Sequence, residues 1–378
     1  MHSAMQTRKQ RGVPVGVAQV VLDVKDVKGG QVGSLNGHAV ASFLTQWYND
    51  DDIHQFWDDF HINYTSVVRY PPWQFPGDGT EAELDVQYLT AIGEKIPTIV
   101  MDVEDNLYFL TLLQQIGDME NPPRVVSMSY GGGEQYNTIV YCGRANIEFA
   151  KVALMGISFL ASSGDSGATD SHGWCDDGRY VPNFPASSMF VTAVGGIEGG
   201  EYTDDVSDFT HEKAWYYGGG GFSWFFPRPK WQDLAVGRYL NLSSLPMQFR
   251  WNRDGKAMPD ISLQAVDYAV CIDGQYYAVS GTSASCPTFA GMISTINDYR
   301  LARGKPPLGF VSPALYYLFE QDPDYYFNDV VEGHIEGCID EGGVSFHTTP
   351  GWDACAGLGS PKFSRLFEGL VDLVASSD

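Results

Sequence analysis

Val279-Ser280-Gly281-Thr282-Ser283-Ala284-Ser285-Cys286-Pro287, running into the apolar stretch Thr288-Phe289-Ala290-Gly291-Met292-Ile293, reads as a serine at the start of a helix that continues to about Arg303. Small residues at Gly281 and Ala284 leave room for another chain to approach, and the Ser283 hydroxyl falls in the first turn. Pro287 is expected within that same turn, where an amide needs no partner. A helix N-terminus also favours the negative charge that develops when a hydroxyl attacks a carbonyl. The same residues suit an ordinary helix cap, so the segment acquires meaning only from a second site elsewhere in the chain.

Gly79-Thr80-Glu81-Ala82-Glu83-Leu84-Asp85-Val86-Gln87-Tyr88-Leu89 supplies that second site. Glu81 and Asp85 stand four residues apart, so on a helix both carboxyls project from one face. On a solvated surface such a pair is merely an acidic stripe. Inside a site it can share a proton, which raises one pKa and gives a group that takes and returns protons in acid.

Further motifs follow in order: Ser127-Met128-Ser129-Tyr130-Gly131, Ser163-Gly164-Asp165-Ser166-Gly167, Phe184-Pro185-Ala186-Ser187-Ser188, Gly219-Gly220-Gly221-Phe222-Ser223 and Pro350-Gly351-Trp352-Asp353. With the two segments above, they make the chain resemble the sedolisins, the serine-carboxyl peptidases, with the closest resemblance to the lysosomal tripeptidyl-peptidase branch. The resemblance runs from roughly residue 30 to the C-terminus. It implies an α/β, subtilisin-like fold: a mainly parallel central sheet, helices on both faces and a C-terminal calcium-site region.

By that resemblance Ser283 is the nucleophile, Glu81 its general base, and Asp85 the residue that orients and buffers Glu81. Asp165 matches the oxyanion residue. A carboxylate cannot donate a hydrogen bond, so Asp165 in that role must be protonated, and acid pH enters the chemistry. Ser129, Tyr130 and Gly131, with Gly219, Gly220 and Gly221, look like walls that pair with a peptide backbone, although both segments also suit tight turns. The resemblance assigns one Ca2+ ion to the carboxylates of Asp329 and Asp353 and to main-chain carbonyls of Val330, Thr349 and Gly351. It also implies a bridge between Cys175 and Cys338.

Composition is consistent with this reading and excludes others. The 378 residues carry 47 acidic and 23 basic side chains, a formal charge of −24, which argues against nucleic acid or an anionic membrane surface as partner. No apolar run reads as a membrane span, and no linker or repeat divides the chain, so residues 1–378 are read as one peptidase domain. The six cysteines form no C-x-x-C or zinc-like spacing. Asn63-Tyr64-Thr65 and Asn241-Leu242-Ser243 are glycosylation sequons, consistent with a secretory route to an acidic lysosome- or vacuole-like compartment or to the exterior. A family member is made with a signal and an inhibitory prosegment, so the chain is read as the mature catalytic part, with its own prosegment and peptides or unfolded proteins as partners.

Apolar runs at 98–103, 124–128, 157–161 and 189–194 alternate with helical-period segments at 105–117 and 135–155, the pattern of a parallel sheet covered on both faces. In such sheets ligands gather at the carboxyl ends of the strands. One competing triad can be drawn. Asp23, His38 and Ser283 follow the order of a neutral subtilisin-type protease; the resemblance instead makes the segment near His38 a structural helix. A degenerate, non-catalytic binding module is disfavoured because no catalytic position is substituted. The resemblance implies acid hydrolysis of peptide bonds through an acyl-enzyme on Ser283 with release of tripeptides from free N-termini as the first reading; internal cleavage requires the same catalytic residues and is the alternative.

Overall fold

The computed structural model describes residues 8–9 and 32–373, apart from 64–65, 73–78, 104–107, 170, 172, 176, 200–210 and 243. Its centre is an eight-stranded sheet of β1 (His38–Ser42), β2 (Val67–Tyr70), β3 (Thr98–Asp102), β4 (Val125–Met128), β5 (Ser158–Ser162), β6 (Thr192–Gly199), β7 (Glu212–Ala214) and β8 (Ile261–Gln264). The parallel order is β2-β3-β1-β4-β5-β6-β8, and β7 alone runs antiparallel, against the end of β6. The expected alternation is present, with one shifted strand: β6 begins three residues later than the 189–194 run and extends to Gly199.

Side chains leave these strands on alternate faces, and each face has its own core. Val40, Val125, Leu160 and Val194 pack on one side against α2 (Thr80–Ile92) and α5 (Thr282–Ala302). Ala39, Ala41, Val126, Met128, Phe159 and Ala161 pack on the other against α3 (Phe109–Gly117) and α4 (Ile139–Leu154). Helices α2 and α5 are buried on nearly every side, as expected for helices enclosed between layers. Their backbones approach closely at Gly291, where an added Cβ would stand 2.6 Å from Ile92 Cβ.

A hairpin of strands Tyr268–Ile272 and Gln275–Val279 leads directly into α5. The same hairpin is fastened to α2: Gln87 Nε2 donates to the Cys271 carbonyl at 2.8 Å, and the Cys271 amide donates to Gln87 Oε1 at 2.9 Å. One element therefore sets the position of both helix starts. α1 (Asp50–Asp59) packs on the outer side of this unit. Among the described residues no helix is long and apolar enough to cross a membrane.

His38 opens central strand β1 and not a helix. A short, fully buried apolar run carries no period that separates the two. Its Nδ1 lies 3.1 Å from Ser294 Oγ and its Nε2 lies 2.8 Å from Thr98 Oγ1. Ser294 is about three turns, roughly 16 Å, along α5 from Ser283, so His38 is spent on structure. Asp23, its partner in the competing triad, lies outside the described residues.

Complete burial pushes the His38 pKa down from 6.5 to about 3. The folded state then binds fewer protons than the unfolded state between these values. The associated stability is present above pH 6.5 and drains as pH falls toward 3, by about 1.4 kcal/mol per pH unit. His38→Gln is expected to flatten this part of the stability curve without altering the distances around Ser283. Thermal unfolding of both proteins at a series of pH values between 6.5 and 4 measures the difference in slope.

Candidate active site

Three chain segments converge at the carboxyl ends of β4 and β5, where α2 and α5 both begin. Asp85 is fully buried on α2, Ser283 is 4% exposed on α5, and Asp165 is half-buried in the turn after β5. Glu81, one turn before Asp85, lies close enough to the Ser283 side chain for that hydroxyl to act on its pKa. Burial, then the Asp85 charge, pushes the Glu81 pKa well above the usual carboxylate range; the Ser283 hydroxyl opposes this and the nearby Asp165 adds to it. Burial likewise raises Asp85, opposed by its hydrogen bond from Ser129.

One oxygen of each carboxyl, Glu81 Oε1 and Asp85 Oδ2, is buried without a hydrogen-bond donor among the described residues. Two charged carboxylates cannot rest in this position cheaply. A single proton held by the pair would satisfy both oxygens and remove their repulsion, leaving one carboxylate able to accept the Ser283 proton.

Ser129 is tied into the same cluster, and its side chain faces inward. Its Oγ is 2.6 Å from Asp85 Oδ1 and 3.3 Å from the Ser283 carbonyl. The second contact follows from Pro287. α5 begins at Thr282, so Pro287 falls beyond the first turn, and its missing N–H deprives the Ser283 carbonyl of its intrahelical donor. Ser129 has one hydrogen to give. When Asp85 is protonated it can donate to Ser129 Oγ, which frees Ser129 to donate to the Ser283 carbonyl; when Asp85 is ionised it competes for that hydrogen. This link was not legible in the sequence, although a proline four residues after the serine was a signal for it.

Asp165 is fixed by the residue before the serine. Asp165 Oδ1 accepts from the Thr282 amide and from Thr282 Oγ1, each at 2.8 Å. Gly281 is extended, and an added Cβ there would stand 3.1 Å from Asp165 Oδ2. The carboxyl therefore stands beside the start of α5, where an acid could donate to an oxygen held near Ser283.

The two glycine-bearing segments differ. Tyr130 is buried edge-on against Phe43, and Gly131 fits where a side chain would strike Asn183. After it, Gly132–Gly133 pairs with Asn183–Phe184. Gly219, Gly220 and Gly221 are buried beneath the Asp165 turn. The Gly219 and Gly220 amides already donate to Gly164 and Gly167, and a Cβ on Gly220 would collide with the Ala354 carbonyl. This stretch braces the turn, and any pairing with a peptide there would fall to its carbonyls.

The disulfide between Cys175 and Cys338 is present, with Cα atoms 5.6 Å apart, and ties the loop beyond Asp165 to the C-terminal region. Cys142, Cys271, Cys286 and Cys355 are buried free thiols. In that region Asp329 Oδ2 accepts from the Gly351 amide at 2.9 Å, and Asp353 accepts from the Thr349, Cys355 and Ala356 amides at 2.8–2.9 Å. Asp353 is 1% exposed, and burial, aided by the Asp329 charge, pushes its pKa up to about 7. Asp329 is raised by burial as well. Thr349 Oγ1 is buried without a hydrogen-bond partner. A buried carboxyl, Asp353, that the charge of exposed Asp329 helps to raise, flanked by main-chain oxygens, fits a hard divalent cation better than it fits protein alone.

Several comparisons bear on this arrangement. Residues 90–302 match the subtilase family. The chain is 39% identical to tripeptidyl-peptidase 1 of Homo sapiens over 353 residues, covering 90% of this chain and 61% of that protein. It is 38% identical to tripeptidyl-peptidase 1 of Bos taurus over 394 residues, covering 98% of this chain and 67% of that protein. It thus spans about three fifths to two thirds of the length of these relatives. The solved structure of a Pseudomonas sedolisin, a serine-carboxyl proteinase complexed with pseudo-iodotyrostatin, superimposes with a TM-score of 0.74 at 21% identity, covering 96% of this chain and 98% of that one.

The raised Asp353 pKa carries a sign. In chelator the folded state holds a proton there that the unfolded state releases near pH 4, so the Asp353 contribution to stability, opposite in sign to that of His38, should fall as pH rises from about 4 to 7. Asp353→Asn should remove most of that slope. Thermal unfolding in chelator across this range tests it.

Proposed function

We propose, on the premise that this chain belongs to the sedolisin family and is tripeptidyl-peptidase 1-like, that it hydrolyses peptide bonds in acid through an acyl-enzyme on Ser283 and releases tripeptides from free N-termini. That it is a serine-type peptidase follows from the family. The observation that carries the finer reading is the buried Glu81–Asp85 pair beside Ser283, with no histidine among the described residues taking part.

In this mechanism Ser283 Oγ attacks the scissile carbonyl carbon and passes its proton to Glu81. The carbonyl π electrons move to oxygen, and protonated Asp165 donates a hydrogen bond to the resulting oxyanion. Collapse re-forms the carbonyl and breaks the C–N bond, with Glu81 returning the proton to the leaving amine. Water then repeats the sequence on the acyl-enzyme and frees Ser283. Asp85 and Ser129 hold Glu81 near the balance point between acid and base. Peptide or unfolded protein is the substrate, and the chain's own prosegment would occupy the same cleft before maturation.

One Ca2+ is assigned to Asp329, Asp353 and the carbonyls of Val330, Thr349 and Gly351. When bound, it would supply a positive charge beside buried Asp353 and its neighbour Asp329. The acidic composition and the exposed Asn63 and Asn241 support an acidic lysosome- or vacuole-like compartment or secretion; Tyr64, Thr65 and Ser243 of the two sequons lie outside the described residues.

Mass spectrometry of products from a long, unmodified peptide at acid pH tests the specificity. Successive losses of three residues are expected, abolished by blocking the N-terminus and by Ser283→Ala; internal cuts insensitive to blocking would replace the exopeptidase with an endopeptidase. Asp165→Asn supplies a donor that does not titrate. It is expected to retain a larger share of its own maximum near neutral pH than the parent, and an unchanged alkaline limb in the kcat/KM profile would assign that limb to other groups.

A further inference from the structure

His334 and His347 stand directly opposite one another in the antiparallel pair of strands His334–Glu336 and Val344–His347. Their ring centroids are 5.5 Å apart. No hydrogen bond or ion pair among the described residues engages either imidazole. His347 is exposed and His334 half-buried. Tyr216 holds the His334 ring edge-on at 5.7 Å and anchors itself by donating from its hydroxyl to the Gly343 carbonyl at 2.7 Å.

We propose that this pair is a surface site for a borderline divalent transition-metal ion, with Zn2+ as the representative cation. Two imidazole nitrogens about 2.0–2.1 Å from one ion, at a roughly tetrahedral angle, place the ring centres about 5 Å apart. The observed spacing of 5.5 Å is close to this. Imidazole is the preferred ligand for such ions, whereas the carboxylate and carbonyl oxygens assigned to Ca2+ suit a hard cation. No group of three or more His, Cys, Asp or Glu side chains with metal-binding geometry occurs among the described residues, so two protein ligands and solvent make a readily exchanged site and not a structural zinc centre.

The position gives the site a consequence. Thr348, beside His347, donates its amide to the Gly333 carbonyl, so the ladder continues past the pair. At the other end of the strand, the Glu336 carbonyl accepts from the Ala168 amide at 2.9 Å and the Glu336 amide donates to the Tyr216 carbonyl at 2.7 Å. Ala168 belongs to the turn that carries Asp165. An ion bridging the histidines would clip the hairpin on which that turn rests.

The test is calorimetric titration of Zn2+ into calcium-replete protein at neutral pH, compared with His334→Ala and His347→Ala. The parent should show a binding event that each substitution weakens at least tenfold. Zinc at ten times the dissociation constant should raise the parent's unfolding midpoint by about 1–2 °C, and the variants should lose this rise. Exposed His347 can be replaced without leaving a cavity, so His347→Ala carries the test if His334→Ala unfolds. A zinc isotherm and midpoint shift unchanged in folded His347→Ala would overturn the proposal. Cu2+ gives an independent readout: the parent's electron paramagnetic resonance spectrum should contain imidazole-nitrogen coupling that His347→Ala diminishes, and identical spectra would overturn it equally.

Discussion

The burial of two carboxyl groups between α2 and α5 is the constraint on which the site depends. Among the described residues neither Glu81 nor Asp85 has a cationic side chain to offset it, and burial is the largest cause of both raised pKa values. An enclosed pair of this kind is tolerable only with fewer than two charges. The Ser129 hydroxyl donates to Asp85 at one end, and the Ser283 hydroxyl lies beside Glu81 at the other. Proton sharing is thus a condition of the folded state before it is a property of catalysis.

Maintaining that geometry requires rigid supports, and the fold supplies them from distant parts of the chain. The Gln87–Cys271 double hydrogen bond locks α2 to the hairpin that feeds α5, so the two helix starts move together. The Asp165 turn is held from three sides: by Thr282 on α5, by Gly219 and Gly220 beneath it, and by Glu336 and the Cys175–Cys338 disulfide from the C-terminal region. The segments proposed to hold a cation flank this last support. A cation bound there would be coupled to the Asp165 turn without touching Ser283.

Much of this was legible in the sequence because it rests on local rules. The four-residue spacing of Glu81 and Asp85 put both on one helix face. Apolar runs at strand length, separated by helical-period segments, specified a covered parallel sheet, and the Ser-Tyr-Gly and Ser-Gly-Asp-Ser-Gly turns fell at strand ends as such sheets require. The motif order carried the family.

What the sequence left undecided depends on groups that meet only when the chain closes. His38 could be drawn into a triad until Ser294 and Thr98 were seen to occupy both of its nitrogens. The Gly219–Gly221 stretch could be a substrate wall or a turn; packing against Ser163, Gly164 and Ala354 made it a brace. Ser129 was read as part of a wall, yet Pro287 had removed a helix donor and Ser129 stands where that donor is needed. The sequence alone determined the residue types, the helix face and the fold class, because these follow from periodicity and local sterics. Only the tertiary structure decided which carboxyls lose their water and which hydroxyls reach them, because desolvation and hydrogen-bond partnership belong to contacts between segments and not to any one segment.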